Sequence, residues 1–522
     1  VPDPHSPALT FRQVARVLVG LLLATFTAML STTIVANALP EIISDLHGTQ
    51  SQYSWVITTA LLANAASTPL WGKLADLFNK KLLVQIAITI FTVASVTAGF
   101  ATSTGWLIAS RALQGIGMGG LMSLSMAVIA TITPPSERGR YSGLVGAVIA
   151  VAQSSGPIVG GLIVDSPLGW RWTFFVCVPL AVISLVMLQL TLHVPTIRRD
   201  EVHVDWLGAT LLTGGVSTLL IWVSLAGPNG DFAWGSPTSV LLAAGGTVLL
   251  ALTLLVERHV PEPILPLRIL RRRTVAMAVL ASIPVGVAMF GTSTYLGEYF
   301  QVSLGQTPTA AGLLQLPMII AIMIASTVSG SVISRTGRWK RWLIAGALLL
   351  TTGLAALALT THETPLWETG VRIAIMGLGS GMLMQNLVLV VQNQVSVRDV
   401  GAAGSLVAFI RTFAGASGVA VLGTVLSGRV SGLVRDGLAA TGAPTGDVPS
   451  GTSLDLAGLP EGVRTLVMAA YGDATGRIFL IAAVLSLGTV VAVTLLPNLP
   501  LRTTLDLQPT GGDEPPSRSV ER

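Results

Sequence analysis

The sequence predicts an all-α membrane protein of fourteen helices in two related halves, and three observations lead there. Of 522 residues, 51% are hydrophobic and only 11% charged. A mean hydropathy of +0.73 is more apolar surface than water-soluble domains can bury, so lipid is the solvent. The apolar residues gather into runs long enough to cross a hydrocarbon core of roughly 30 Å, which takes about 20 helical residues. The charged stretch Gly72 to Lys81, GKLADLFNKK, also returns 258 positions later: Gly330, Ser334, Gly337 and Arg338 stand at the offsets of Gly72, Asp76, Asn79 and Lys80. Duplicated membrane halves with matching loops are the build of many secondary transporters.

Taken in order, the fourteen runs lie at about 14–38, 53–75, 82–101, 106–131, 141–165, 172–192, 206–226, 238–256, 275–300, 310–333, 342–360, 368–391, 402–427 and 478–496. Their interior Gly and Pro residues suit membrane helices, where small side chains let neighbours approach closely. A barrel of alternating ten-residue strands does not fit runs this long and uniformly apolar. Lys and Arg fall in alternate short loops, at Lys80 and Lys81, Arg138 and Arg140, Arg198 and Arg199, Arg258 to Arg273, Arg335 to Arg341, and Arg398. The loops 39–52, 102–105, 227–236, 303–308 and 362–367 hold none. By the bias of cations towards the cytoplasm, both termini are expected there. The net charge of +5 reflects this bias rather than a nucleic-acid surface.

Arg12 and Arg16 ahead of an apolar run ending Ala36-Asn37-Ala38 imitate a secretory signal, but the run is too long for one. The single cysteine, Cys177, excludes an internal disulfide. Arg outnumbers Lys 26 to 4, which suggests a GC-rich bacterial genome.

The first run closes with LSTTIVANALP, Leu30 to Pro40. There and at the hinge the chain resembles the major facilitator superfamily, in its fourteen-helix drug/proton antiporter branch. That branch often writes the segment L-D-x-T-I-V-N-V-A-L-P, matched here at Leu30, Thr33, Ile34, Val35, Ala38, Leu39 and Pro40. Ser31 replaces its Asp, so strict dependence on cationic substrates is not implied. The hinge fits G-x-L-a-D-r-x-G-r-K at Gly72, Leu74, Asp76, Lys80 and Lys81, and departs from it at Leu77 and Asn79. The resemblance makes Asp76 a clasp that closes the cytoplasmic side in one state. Read without it, Asp76 is a solvated loop charge.

In the fourth run, Arg111-Ala-Leu-Gln-Gly-Ile-Gly resembles the superfamily's R-x-x-q-G-x-G motif. A charge at mid-span costs on the order of 2.5 to 3.5 kcal/mol on insertion scales and needs interior partners, for which Gln114 and Gln153 are candidates. Arg111 is either a positive centre for proton coupling or a staple between helices. In the fifth run, Gly156-Pro157-Ile158-Val159-Gly160-Gly161 resembles the antiporter signature G-P-x-x-G-G. The proline bends the helix and the glycines let a neighbour press close, so that two halves can seal. Trp170 to Leu180 resembles that branch's usual approach to the sixth run. The seventh and eighth runs have no counterpart in a six-plus-six arrangement; in the family they are an inserted pair.

Glu298 is the acid expected in or near the membrane, with Tyr295 and Gln301 on its helical face. Buried, it would exchange a proton for substrate; in the vestibule it would be a wetted carboxylate. Asp165 is a second, weaker candidate for proton coupling. Gly377, Gly379 and Gly381 echo Gly115, Gly117 and Gly119 at offset 262. Ser31, Asn37, Gln153, Tyr295, Gln385 and Asn386 are the expected polar contacts of a central cavity. Arg411, in the thirteenth run, needs an interior partner, but no motif assigns it a task.

The expected plan is a major facilitator fold: a cytoplasmic N-terminus to 13, a six-helix bundle over 14–193, an inserted pair over 206–256, a basic linker over 257–274, a second six-helix bundle over 275–496 with a long outer loop at 428–476, and a disordered cytoplasmic tail from 497. The histidines lack metal-ligand spacing and no Walker loop is present, so no enzyme site, metal or cofactor is expected and an ion gradient is the energy source. The expected activity is proton-coupled export of hydrophobic drugs or antibiotics by a monomer in the bacterial cell membrane. The alternatives are an exporter or importer of another metabolite, such as an amino acid or lipid, and a non-transporting receptor or scaffold.

Overall fold

The computed structural model describes residues 11–132, 138–192, 205–226, 232–260, 267–395, 400–441 and 460–497. They are almost wholly helical. The first half comprises α1 (Phe11–Asp45), α2 (Gln50–Leu77), α3 (Lys80–Gly99), α4 (Thr104–Ile132), α5 (Arg138–Val164), and a sixth span divided into α6 (Trp172–Phe175) and α7 (Cys177–Thr191). Then come the inserted α8 (Trp206–Leu225) and α9 (Pro237–His259), and the short α10 (Leu267–Leu270). The second half comprises α11 (Arg273–Glu298) with a π-helical turn at Tyr299–Ser303, α12 (Pro308–Leu314) running into α13 (Leu316–Thr336), α14 (Trp339–Leu357), α15 (Leu366–Asn393), α16 (Val400–Thr441) and α17 (Glu461–Thr494).

Each of the fourteen expected runs is thus a helical span. Eleven are long and apolar enough by themselves to cross a bilayer, and shorter apolar stretches lie in α5 and α8. The remaining span, α2, is 28 residues long; Asn64, Ser67 and Thr68 dilute its apolar character.

The duplication holds at the level of individual contacts. A β-carbon on Gly115 would lie 2.3 Å from the Ala60 carbonyl oxygen, and one on Gly377 2.5 Å from that of Met318, 258 positions after Ala60. Gly119 and Gly381 press likewise on the carbonyls of Asn64 and Ile322, again 258 apart, while Gly117 and Gly379 press on the backbones of Phe91 and Leu350. The fourth helix of each half therefore packs its glycines against the same register of its second and third helices.

The two hinges turn the chain by different means. Asn79 caps α3 by accepting from the Lys81 and Leu82 amides. Gly337, its repeat partner, ends α13 in the left-handed conformation at φ +67°, which glycine adopts without steric cost. Beyond each hinge a lysine reaches the carboxyl end of its half's last helix: Lys81 donates to the Gln189 carbonyl at 2.7 Å and Lys340 to that of Leu496 at 2.6 Å.

Two expectations about helix ends are corrected. The first helix continues through Pro40 to Asp45, because a proline's missing amide bond is tolerated in a packed membrane helix. It stops where His47 turns left-handed and the Gly48 amide reaches back to Ile43. The expected outer loop 428–476 is largely helix. α16 has 42 residues and α17 has 34, lengths of about 63 and 51 Å at 1.5 Å per residue, so both project beyond a hydrocarbon core of about 30 Å. Residues 442–459 between them fall outside the described residues, as do the chain ends expected to be cytoplasmic.

Candidate functional site: a cavity beneath a seal between the halves

Hydrophobic packing divides the molecule unequally. One continuous core joins Val35 to Ile43 of α1 and Tyr53 to Ala66 of α2 to helices of the second half. The other end of the first half has its own core, built from residues such as Val14, Leu21, Trp71, Phe91, Leu124 and Leu188. The halves are fused at the end where the cation-free loops 39–52 and 303–308 lie, and part towards the basic end.

Glycines and carbonyl bonds make the seal. A β-carbon on Gly156 would collide with the Thr33 hydroxyl, and one on Gly160 with Ile34, so the GPxxGG segment draws α5 onto α1. Gly161 faces the other half instead: its β-carbon would fall 2.4 Å from Thr309 Cα, and one on Gly312 the same distance from the Pro157 carbonyl oxygen. Asn37 bridges this contact, its Nδ2 donating to the Pro157 carbonyl at 3.0 Å and the Pro308 carbonyl at 2.9 Å. Gln301 Nε2 donates to the Asn37 carbonyl at 2.9 Å, and the Thr309 amide donates to the Asp165 carboxylate at 3.1 Å. Asn37, expected in the cavity, is a seal residue, and Asp165, exposed to solvent, is a clamp across the halves.

Below the seal lies a cavity of about 230 Å³ that takes its walls from α1, α2, α4 and α5 of one half and α11, α13, α15 and α16 of the other. It reaches Gln392 and Gly404, which flank the loop carrying Arg398 at the basic end. Six methionines line it: Met29, Met122, Met289, Met318, Met376 and Met384. Their unbranched thioethers fit irregular apolar shapes. Among the described lining residues Arg411 is the one charged side chain and none is a carboxylate. Its Nη1 donates to the Met384 carbonyl at 3.4 Å. The sequence had marked Arg411 only as a buried cation. The methionines gave no signal of their own, because they are equally at home against lipid.

Several expected site residues lie elsewhere. Arg111, 1% exposed, donates to Gln114 Oε1 and from its Nε to the Val56 carbonyl at 3.4 Å. Gln114 Nε2 in turn donates to Ser31 at 3.0 Å and Ser95 at 2.8 Å. Ser31 therefore sits in a polar network two contacts from Arg111, inside the first half and apart from the cavity wall. Asn386 is buried, donating to Ser329 at 3.0 Å and the Met382 carbonyl at 2.7 Å, and binds α15 to α13. The side chains of Asp76, Gln153 and Gln385 lie outside the described residues.

Glu298 is 1% exposed, so the wetted-vestibule alternative does not hold. It ends α11, immediately before the π-helical turn, an irregularity common at functional positions. Four residues earlier on the same face, Thr294 lines the cavity. Glu298 is therefore one helical turn from the cavity, on the side of the seal. Tyr53 of the first half lies within electrostatic reach of Glu298, Tyr295 and Tyr471, all four fully enclosed. Tyr295 donates to the Val419 carbonyl at 2.5 Å and is a strut of this cluster rather than a cavity wall. Among the described residues the Tyr53 hydroxyl, Asn37 Oδ1, Gln315 Oε1 and the Thr292, Ser303 and Thr309 hydroxyls are buried without a hydrogen-bond partner. Each such group costs about 1 to 3 kcal/mol, and these surround the seal.

Residues 21–419 match the sequence profile of the Major Facilitator Superfamily. An uncharacterised MFS-type transporter of Mycobacterium tuberculosis is 33% identical over 483 residues, covering 92% of this chain and 69% of that protein. The multidrug transporter protein MdtP of Bacillus subtilis is 32% identical over 419 residues, 80% of this chain and 76% of its own. The efflux pump dotC of Dothistroma septosporum is 31% identical over 508 residues, 95% and 86% respectively. A crystal structure of a bacterial homologue of the human lysosomal transporter Spinster, inward-facing and unoccupied, superposes with a TM-score of 0.66 at 16% identity, covering 93% of this chain and 98% of that one.

Proposed function

From the premise that the chain belongs to the Major Facilitator Superfamily, and so is a multi-pass membrane transporter and not an enzyme, we propose that it is a proton-driven exporter of hydrophobic drugs or antibiotics. It works by alternating access across a bacterial cytoplasmic membrane, with the basic end and both termini inside. The cavity carries this reading. Both halves build it, six methionines adapt it to varied apolar shapes, and Arg411 is the one charge among its described walls. A cavity with a cation and no described carboxylate suits neutral or anionic hydrophobic molecules better than cations. The efflux pumps among the relatives support the direction of transport.

Glu298 is the proposed proton carrier. Buried one turn above the cavity and under the seal, it meets water only when the halves part there. Proton uptake from outside is thereby tied to the outward-open state. The polar atoms without partners around the seal support the same alternation, since opening that end gives them water. On the basic side, the Gly72, Asp76, Lys80, Lys81 hinge and its Gly330, Gly337, Arg338 repeat are the proposed gate that closes in exchange. Arg111 acts in coupling through Gln114, holding the first half's helices in register.

Proteoliposomes under an imposed pH gradient test this. They are expected to drive a neutral or anionic hydrophobic dye uphill and to stop when a protonophore is added. The Glu298→Gln protein should still exchange dye but no longer respond to the gradient. Uphill transport by that variant equal to wild type would remove Glu298 as carrier, and a wild type moving no hydrophobic probe would overturn the export reading. Arg411→Gln should weaken transport of anionic dyes and spare neutral ones.

A further inference from the structure

A second depression, about 1230 Å³, lies at the sealed end and away from the central cavity. It is walled by the end of α14, the projecting parts of α16 and α17, and the turn between α8 and α9. Three guanidinium groups border it, those of Arg429, Arg435 and Arg477, and all three side chains are exposed. None forms an ion pair among the described residues. The one carboxylate there, Asp473, already bonds His362 Nδ1 at 3.0 Å. Cations are scarce in the short loops of this end, where Arg171 and Arg372 are paired with Asp45 and Glu368.

Beside the guanidinium groups the depression is apolar. Leu359 is 71% exposed, Leu480 41% and Trp234 42%. A β-carbon on Gly428 or Gly432 would meet nothing within 4 Å, so the α16 wall is open along its length. Exposed Trp106, Trp172 and Trp367 begin helices at this same end, the placement of an aromatic belt at headgroup depth. Trp234, exposed at the same end, lines the depression with the three arginines, and Leu480 lies about one turn further along α17 than Arg477.

We propose that this depression is a binding site for the phosphate-bearing headgroup of an anionic phospholipid. The guanidinium groups take the phosphate through charge-assisted hydrogen bonds, for which their planar fork is suited. An acyl chain lies over Leu359 and Leu480. A soluble anion would use the arginines but gain nothing from the exposed leucines, and an uncharged lipid would leave the three cations unmatched. Because the walls come from α8–α9, α14, α16 and α17, such a lipid joins the inserted pair to the second half. The assignment stands independently of what the central cavity transports.

Native mass spectrometry of the purified protein, delipidated and then titrated with phosphatidylglycerol or phosphatidylcholine, tests it. Wild type is expected to retain one more phosphatidylglycerol than a triple Arg429→Gln, Arg435→Gln, Arg477→Gln protein, whose affinity should fall roughly tenfold or more. A triple lysine variant should recover part of that loss. Inorganic phosphate in millimolar excess should not displace the lipid, and Leu480→Asn should weaken lipid while leaving phosphate unaffected. Equal retention by wild type and the glutamine variant would overturn the site. Displacement by phosphate alone would overturn the lipid and leave a soluble-anion site. Should the triple variant not fold, Arg477→Gln by itself carries the same comparison.

Discussion

Single glycines decide how closely the helices of this transporter can stand, and their neighbours say which ones matter. A β-carbon on Gly379 would come within 2.2 Å of the Leu350 backbone nitrogen. That atom cannot yield without moving a helix. Gly379→Ala should therefore lower stability by about 1 to 3 kcal/mol, the usual penalty of overpacking. Gly330 belongs to the repeated hinge yet has nothing within 4 Å of its β-position. Gly330→Ala should be neutral or slightly stabilising, because alanine is the better helix former. Thermal unfolding in detergent distinguishes the two. Motif membership alone would have ranked them the other way, since the sequence shows that a glycine is present but not what faces it.

Among elements, the third helix of each half carries the same device. Lys81 and Lys340 sit at its amino end and donate to the carboxyl ends of α7 and α17, where a cation also meets the negative end of the helix dipole. Lys81→Met should loosen the end of α7 by about 0.3 to 1 kcal/mol and leave α17 unchanged; Lys340→Met should do the reverse. Hydrogen exchange at residues 189–192 and 494–496 measures both. Equal exchange at both ends in either variant would show that the lysines do not act locally. The hinge motif was legible from residue spacing, and so was its repeat. The bond each lysine makes was not, because its acceptor lies more than a hundred positions away.

For the whole molecule, closure at one end rests on a small set of directed bonds between halves. Gln301 and the Thr309 amide donate across to the Asn37 carbonyl and to Asp165, and the Asn37 side chain donates twice, to Pro308 across the seal and to Pro157 within the first half. Asn37→Ala removes both. At about 1 kcal/mol per bond, losing the crossing one should shift the population towards the form open at the sealed end about fivefold. Spin labels at the ends of α1 and α12 should report a longer distance in Asn37→Ala, and a smaller effect in Asp165→Asn, whose amide still accepts from Thr309. Unchanged distances in both would mean that apolar packing alone holds the seal. Glu298 belongs to this scale as well. It lies buried within electrostatic reach of Tyr53 from the other half, and no property of its own helix could have predicted that.

By itself the sequence determined the number of spans, the basic and cation-poor ends, and the register of the repeat. Hydropathy and loop charge are sums over neighbouring residues, and a duplicated pattern can be read by alignment to itself. Only the tertiary structure decided that Asn37 and Asp165 seal, that Ser31 joins the Arg111 network, that Arg411 faces the cavity, and that α16 and α17 outrun the bilayer. In a membrane, lipid and protein interior are equally apolar. The composition of a helix then carries little information about its rotation or its partner, and that is settled only when distant helices meet.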